Sequence, residues 1–276
     1  MSKKFDNVVI ASDLDGTYFG SGSSLVARNV ERVKYFCENG GHFTFATGRL
    51  PLFVRKPLPN AKELINLCAV TGNGTCLYDF NEEKAVKEHF LDGEAFYELC
   101  GFVRDFTKNV GFRGCTRKGF VIHDMNNPYN RAEYEYFPDF MEKQILDLSD
   151  WQKLSLYKVN IMDTAEVLED LYTVLNEKFS HKLTVSRAGY SAIEVMPFGT
   201  SKAKLLREYL DERFENDIIL CTVGDHDNDL EMLSIADIPV CPSNANDNVK
   251  KICKKQLCSN KEGVVADLID MLDREL

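Results

Sequence analysis

The chain has 276 residues, 44% hydrophobic and 28% charged, a balance that suits a globular protein with a packed core and excludes a disordered or fibrous one. That length is long for one core, so a body plus one further domain is expected. A formal net charge of -10 argues against a nucleic-acid partner, which needs clustered Lys and Arg, but leaves room for a small anion at a metal or a local basic pocket.

The apolar run Val8-Val9-Ile10-Ala11 is too short for a signal-peptide core, and no other stretch approaches membrane-spanning length. The expectation is a cytoplasmic protein with no membrane partner and no obligate protein partner. Nine cysteines lie scattered from Cys37 to Cys258 without a Cys-x-x-Cys pair, and they read as buried free thiols rather than as zinc ligands or redox groups.

In chain order, Asn7 to Ser12 reads as a buried parallel strand ending in acids and a glycine. Helical spacing from Ala27 to Cys37 is stopped by Asn39-Gly40-Gly41. A second strand, Gly41 to Ala46, runs into Thr47-Gly48-Arg49, and a third, Leu67 to Val70, into Thr71-Gly72-Asn73-Gly74-Thr75. Strand, polar loop and helix in repetition predict an α/β fold, a Rossmann-like doubly wound parallel sheet. From about Ala85 the texture changes. Helical patterns at Glu94 to Asn109 and Thr164 to Phe179 alternate with strand-like pieces at Gly119 to His123, Leu156 to Ile161, Thr184 to Arg187 and Ile193 to Val195, while Asn126 to Phe140 reads as a loop or short irregular helix. After Pro197 the first texture returns, with a helix over Lys202 to Phe214 and a strand, Ile218 to Val223, ending in Gly224-Asp225. The expected division is a core of residues 1–84 and 192–276 interrupted by an α+β segment, 85–191.

Three of four polar motifs fall where a predicted strand gives way to a loop, the edge at which open α/β sheets bind ligands. In Asp13-Leu14-Asp15-Gly16-Thr17, a turn at Gly16 lets two carboxylates enter one pocket, one to attack phosphorus and one to handle a proton. Thr47-Gly48 offers a hydroxyl and backbone N–H groups as an anion cradle. Lys202 opens a helix, where a cation is unfavourable unless an anion is near. Gly224-Asp225-His226-Asp227-Asn228-Asp229 concentrates like charge that a cation would relieve. An EF-hand reading of that loop fails, because Leu230 and Ala236 stand where Gly and Glu are required, and His226 is left out of the metal site because hard cations prefer oxygen. Taken singly, each motif also fits a capped turn, a solvated lysine or a solvated helix start.

In this order and register the four motifs resemble the haloacid-dehalogenase-like phosphatases, and within them the Cof-type group with a large α/β cap inserted after the second motif. Gly72-Asn73-Gly74, Ile238-Pro239-Val240 with Asn244-Ala245, and Gly263-Val264-Val265 add to the likeness; Pro242-Ser243 before Asn244 and Ala203-Lys204 after Lys202 depart from it. The resemblance implies Asp13 as nucleophile and Asp15 as general acid and then base. Thr47, Gly48, Lys202 and Asn228 would hold phosphoryl oxygens. Asp13, Asp15 through its backbone carbonyl, and Asp225 would hold Mg2+, with Asp229 supporting. It also implies an aspartyl-phosphate intermediate and a small phosphorylated metabolite as substrate, sugar phosphates first, since a closing cap excludes polymers. A phosphotransferase or phosphomutase of the same fold and a non-catalytic metabolite sensor are the rivals. Arg49, Asn73, Arg187 and Glu194 are read as solvated, and Tyr129, Tyr134, Tyr136 and Phe137 as core of the inserted segment.

Overall fold

Residues Val8–Ser12 are fully buried, as the unbroken apolar run requires of a strand covered on both faces. The computed structural model describes residues 3–188 and 192–276. In chain order the elements begin with β1 (Val8–Ser12), α1 (Ala27–Glu38), β2 (His42–Phe45), α2 (Pro51–Arg55), β3 (Ala69–Thr71), β4 (Cys76–Asp79) and β5 (Lys84–Glu88). There follow α3 (Gly93–Phe106), β6 (Gly111–Cys115), β7 (Phe120–Ile122), α4 (Pro128–Tyr136), β8 (Met141–Gln144), α5 (Leu148–Trp151), β9 (Lys158–Met162), α6 (Ala165–Phe179), β10 (Leu183–Ala188) and β11 (Ala192–Pro197). Last come α7 (Lys202–Arg213), β12 (Ile219–Val223), α8 (Leu230–Ser234), β13 (Ile238–Pro242), α9 (Asp247–Ile252), β14 (Lys255–Leu257) and α10 (Val264–Glu275). None of these helices is long and apolar enough to cross a membrane.

The chain divides into two compact units, one made of the residues up to Lys87 with Ser201–Leu276, the other of Glu88–Thr200. In the first, an entirely parallel sheet runs β14-β13-β12-β1-β2. On one face Val9 and Ala11 pack with Leu205 and Leu206 of α7 and Met232 of α8. On the other, where Ile10 pairs with Phe43, the rings of Tyr18, Phe43 and Phe45 meet edge to face or tilted. Buried Asn29 of α1 fastens that layer: its amide donates to the Tyr18 carbonyl (2.9 Å) and its oxygen accepts from Ala266 N–H (2.9 Å) at the start of α10. The third predicted strand departs from expectation. β3 pairs antiparallel with β4 in a separate small sheet, and a parallel bridge, Ala46 to Val70, links it to the line of β2.

The second unit is a six-stranded sheet, β10-β11-β9-β6-β7-β8, with β7 and β8 parallel and the other pairs antiparallel. Residues 192–197, expected in the first unit, belong here because β11 is hydrogen-bonded between β9 and β10. Strand alternation sends Val159, Ile161, Ile193 and Val195 into a core shared with Phe96, Leu99 and Val103 of α3 and Leu168, Leu171 and Leu175 of α6. The alternate positions carry polar groups: Lys158 pairs with Glu194, and Arg113 donates to Asn160 (3.0 Å) and pairs with Glu133. Glu194 is therefore buried and ion-paired rather than solvated, and Arg187 sits 3.1 Å from Glu169.

The stretch Asn126 to Phe140 contains a regular helix, α4, begun by a signature visible in the sequence: Asn127 accepts from Tyr129 and Asn130 N–H (3.0 and 3.3 Å), and Pro128 occupies the first turn. Its aromatics are not all core. Phe137 packs on Phe120 and Phe140, but Tyr136 is 78% exposed and Tyr134 42%.

Candidate active site

Ser12 at the end of β1 is in register with Phe45 of β2 on one side and Val223 of β12 on the other. The chain therefore leaves the sheet at one edge in three adjacent places, at Asp13, at Ala46-Thr47 and at Gly224-Asp225, with Asp13 N–H still bonded to the Val223 carbonyl (2.9 Å) and Ala46 N–H to that of Ser12 (2.9 Å). Parallel pairing thus collects motifs that are two hundred residues apart in sequence.

Lys202, the first residue of α7, is 1% exposed and reaches two buried carboxylates, Asp13 Oδ1 at 2.6 Å and Asp229 Oδ1 at 2.7 Å. The anion that its position at a helix start demanded is thus a pair. Asp229 is fully buried, and its second oxygen accepts from the N–H groups of Asp225 (3.0 Å) and His226 (3.3 Å), so one side chain fixes both the lysine and the acidic loop. Asp225 is oriented from the other side by the Thr17 hydroxyl, which donates to its Oδ1 at 2.7 Å.

Two glycines permit this closeness. Gly16 has φ of +77° and a Cβ there would lie 2.4 Å from Asp225 Oδ2; a Cβ on Gly224 would lie 2.5 Å from that of Asp229. Asn244 closes the turn by donating to the Gly16 carbonyl at 2.8 Å.

Carboxylate oxygens of Asp13, Asp225 and Asp229 lie within 4.8 Å of one another, and the Lys202 ammonium pairs with two of the three. Burial raises the Asp13 pKa well above the usual carboxylate range; Lys202 pulls it down, while Asp229 and Asp225 push it up. Burial also raises Asp225, to about 6, with the Thr17 hydrogen bond opposing and Asp229 assisting. For Lys202 burial alone favours the neutral amine, but the two carboxylates override it and raise its pKa. A compact, all-oxygen site that is electrostatically unfavourable by itself suits a hard divalent cation such as Mg2+. Because both Asp229 oxygens are committed, Asp13 and Asp225 are the side chains free to hold one.

Asp15 stands apart from this group. Its carboxylate is half exposed and makes a two-pronged pair with Arg49, Nε to Oδ2 at 2.6 Å and Nη2 to Oδ1 at 2.6 Å. The expected sharing of one pocket by the Asp13 and Asp15 carboxylates is thus replaced by separate partners, because Asp15 turns toward the second motif. Arg49, read from sequence as solvated, also donates to the Ser23 hydroxyl (2.7 Å) and the Phe53 carbonyl (3.2 Å).

Thr47, Gly48 and Asn228 converge on Asn73. Asn73 N–H bonds to the Thr47 carbonyl (3.0 Å), Asn228 donates to Asn73 Oδ1 (3.1 Å), and a Cβ on Gly48 would stand 3.1 Å from that oxygen. Asn73 is buried, contrary to its solvated reading. Thr17, Asn73 and Arg49 were present in the recognised motifs, but no local spacing gives a partner located on another strand.

The chain belongs to the haloacid dehalogenase-like hydrolases, whose family profile matches residues 10–269. It is an enzyme class built on this fold. Among its relatives, the 5-amino-6-(5-phospho-D-ribitylamino)uracil phosphatase YwtE of Bacillus subtilis is 23% identical, over 95% of this chain and 97% of that protein. A haloacid dehalogenase-like hydrolase from Bacteroides thetaiotaomicron is similar in structure, with a TM-score of 0.80, 24% identity and coverage of 96% and 99% of the two chains. A Streptococcus mutans protein gives a TM-score of 0.83 at 22% identity, over 97% of this chain and 99% of that one.

Proposed function

We propose that this haloacid dehalogenase-like phosphatase hydrolyses phosphate monoesters of small metabolites, sugar phosphates foremost, in a Mg2+-dependent reaction through a phosphorylated Asp13. The observation that carries the reading is the fully buried Lys202 held between Asp13 and Asp229, with Asp225 completing a carboxylate cluster at the sheet edge. Phosphoryl transfer needs in-line positioning and neutralisation of spreading negative charge more than it needs covalent chemistry from the protein. Lys202 fixes the direction of Asp13 and places positive charge beside the reacting oxygens. Mg2+, held by Asp13 and Asp225, would supply the remaining positive charge.

Asp13 attacks phosphorus, the ester oxygen departs with a proton from Asp15, and water then cleaves the acyl phosphate while Asp15 accepts a proton. Asp15 is proposed for the proton because its carboxylate lies outside the buried cluster; its pair with Arg49 would have to open before it can donate one. Thr47, Gly48 and Asn228, grouped around Asn73, are the groups proposed for the phosphoryl oxygens. The substrate of the B. subtilis relative, a phosphorylated ribityl compound, supports a sugar-phosphate-like ester.

The test is phosphate release from sugar phosphates, nucleotides, that ribityl phosphate and a chromogenic ester, with Mg2+ or EDTA, for the wild type and Asp13→Asn. Mg2+-dependent release lost in the variant is the expected result. Conversion of an ester without released phosphate would place the transfer on a second hydroxyl instead, and binding without turnover across the panel would refute the enzyme reading.

A further inference from the structure

Asp15 and Gly16 are the central residues of a type II turn, with φ and ψ of −80° and 124° at Asp15 and 77° and −4° at Gly16. The turn bears on the acidic site in two ways. The hydroxyl of Thr17, next in the chain, orients Asp225, and the Gly16 backbone packs so closely on that carboxylate that a Cβ has no room. Because Asp13 begins the same loop, whatever holds the turn also holds Asp13 and Asp225 in relation to each other.

That hold comes from 228 residues away. The Asn244 amide donates to the Gly16 carbonyl at 2.8 Å, and its oxygen accepts from Asn260 N–H at 2.9 Å. Asn260 is buried and donates in turn to the Phe19 carbonyl (2.8 Å), at the far end of the loop. Two residues after Asn244, Asn246 N–H bonds to the Asp225 carbonyl (3.0 Å) and the Asn246 amide donates to the Asp227 carboxylate (2.9 Å). One short stretch, 244–246, thus grips both of the loops that carry Asp13 and Asp225.

We propose that Asn244, braced by Asn260, is a positioning residue for the metal site, setting the separation at which the Asp13 and Asp225 carboxylates reach one Mg2+. The inference rests on the Mg2+-dependent reading given above. Asn244 is exposed, so truncation to alanine opens no cavity and alters neither carboxylate. It removes the tie on the peptide after Gly16, and the Thr17 hydroxyl then orients Asp225 from a looser turn. Groups that orient metal ligands govern affinity nearly as much as the ligands do, and losing one weakens binding by about tenfold or more.

The experiment is calorimetric titration of the full-length protein with MgCl2, alongside phosphate release from a chromogenic ester over a range of Mg2+. Wild type, Asn244→Ala, Asn260→Ala, the double variant and Asn248→Ala are compared, with circular dichroism to check folding. Asn248 is exposed and donates to Asp227 (3.1 Å), not to the Gly16 turn, so it serves as the control. In Asn244→Ala the Mg2+ Kd and the half-activating Mg2+ concentration rise together by about tenfold. At saturating Mg2+, kcat and the KM for the ester change by less than about twofold, a split that general loss of structure does not produce. Asn260→Ala shows the same rise and the double variant adds little to it, because the two side chains act as one brace. Asn248→Ala binds Mg2+ like the wild type. An unchanged Kd in Asn244→Ala, while the wild type binds Mg2+, overturns this inference alone. A wild type that binds no Mg2+ overturns the metal reading together with it.

Discussion

Replacing Asp225 by Asn should make the metal-free protein more stable at neutral pH while removing its activity. The amide keeps the shape of the side chain and the oxygen that accepts the Thr17 hydroxyl, so packing is preserved. What changes is charge. Asp225 is raised from an ordinary 3.8 to about 6, chiefly by burial, so folding works against its ionised form. At about 1.36 kcal/mol per pH unit the full penalty is about 3 kcal/mol, and partial solvent access reduces it to about 1.5–3 kcal/mol. Below 3.8 both folded and unfolded chains carry the proton and there is no penalty; it grows as pH rises through the interval to about 6 and is complete above it. The stability gain of Asp225→Asn in EDTA is therefore near zero at pH 4 and about 1.5–3 kcal/mol at pH 7.5, several degrees in Tm for a domain of this size. Urea titration followed by far-UV circular dichroism or hydrogen exchange of β12 suits the purpose. Trp151, the one tryptophan, lies in the core of the other unit, so its fluorescence reports the wrong place. Excess Mg2+ should reverse the ranking, because it binds and stabilises the wild type in preference. An advantage that is the same at pH 4 and pH 7.5 would refute the electrostatic account.

Asp13→Asn should lower turnover by about three orders of magnitude or more in phosphate-release assays, with the circular dichroism spectrum unchanged. Lys202→Met should abolish turnover and also cost about 3–5 kcal/mol in urea unfolding, since it leaves two buried carboxylates without their shared cation. Gly16→Ala sets a Cβ 2.4 Å from Asp225 Oδ2 at a φ of +77°, so a loss of about 1–3 kcal/mol in unfolding and weakened Mg2+ binding by calorimetry are expected. Asn29→Ala strands a buried carbonyl at Tyr18 and a buried N–H at Ala266, and should cost about 2–4 kcal/mol in thermal unfolding with kcat nearly unchanged.

What the sequence disclosed was whatever short-range pattern encodes. β1, β2 and β12 are legible because a buried parallel strand must be apolar on both faces, and their ends are legible because glycine and acids stop it. β6 and β8 are not: Gly-Phe-Arg-Gly-Cys carries two glycines and Met-Glu-Lys-Gln has no apolar alternation, so only their neighbours in the sheet make them strands. The α4 helix was hidden by its Tyr and Glu content although Asn127-Pro128 announces its start. The first-unit boundary was misplaced because Ile193 to Val195 reads equally well as a strand of either sheet; pairing with β9 decides it.

The site shows the same division more sharply. Asp13, Asp225 and Lys202 could be singled out because each is anomalous where it stands: a carboxylate at the end of an apolar strand, a crowd of acids, a cation at a positive helix end. Their meaning is mutual, and mutual arrangement is what a linear reading lacks. Asp229 looked like one acid among several, yet it is the residue that cannot be exchanged for a solvated one, with one oxygen on Lys202 and the other on two backbone N–H groups. Arg49 and Asp15, read separately as a solvated residue and a pocket carboxylate, are each other's partners. Charge pairs between strands require only that the fold bring them together, so they leave no periodicity behind, and the buried polar groups with the most exacting surroundings are the ones for which sequence pattern offers the least warning.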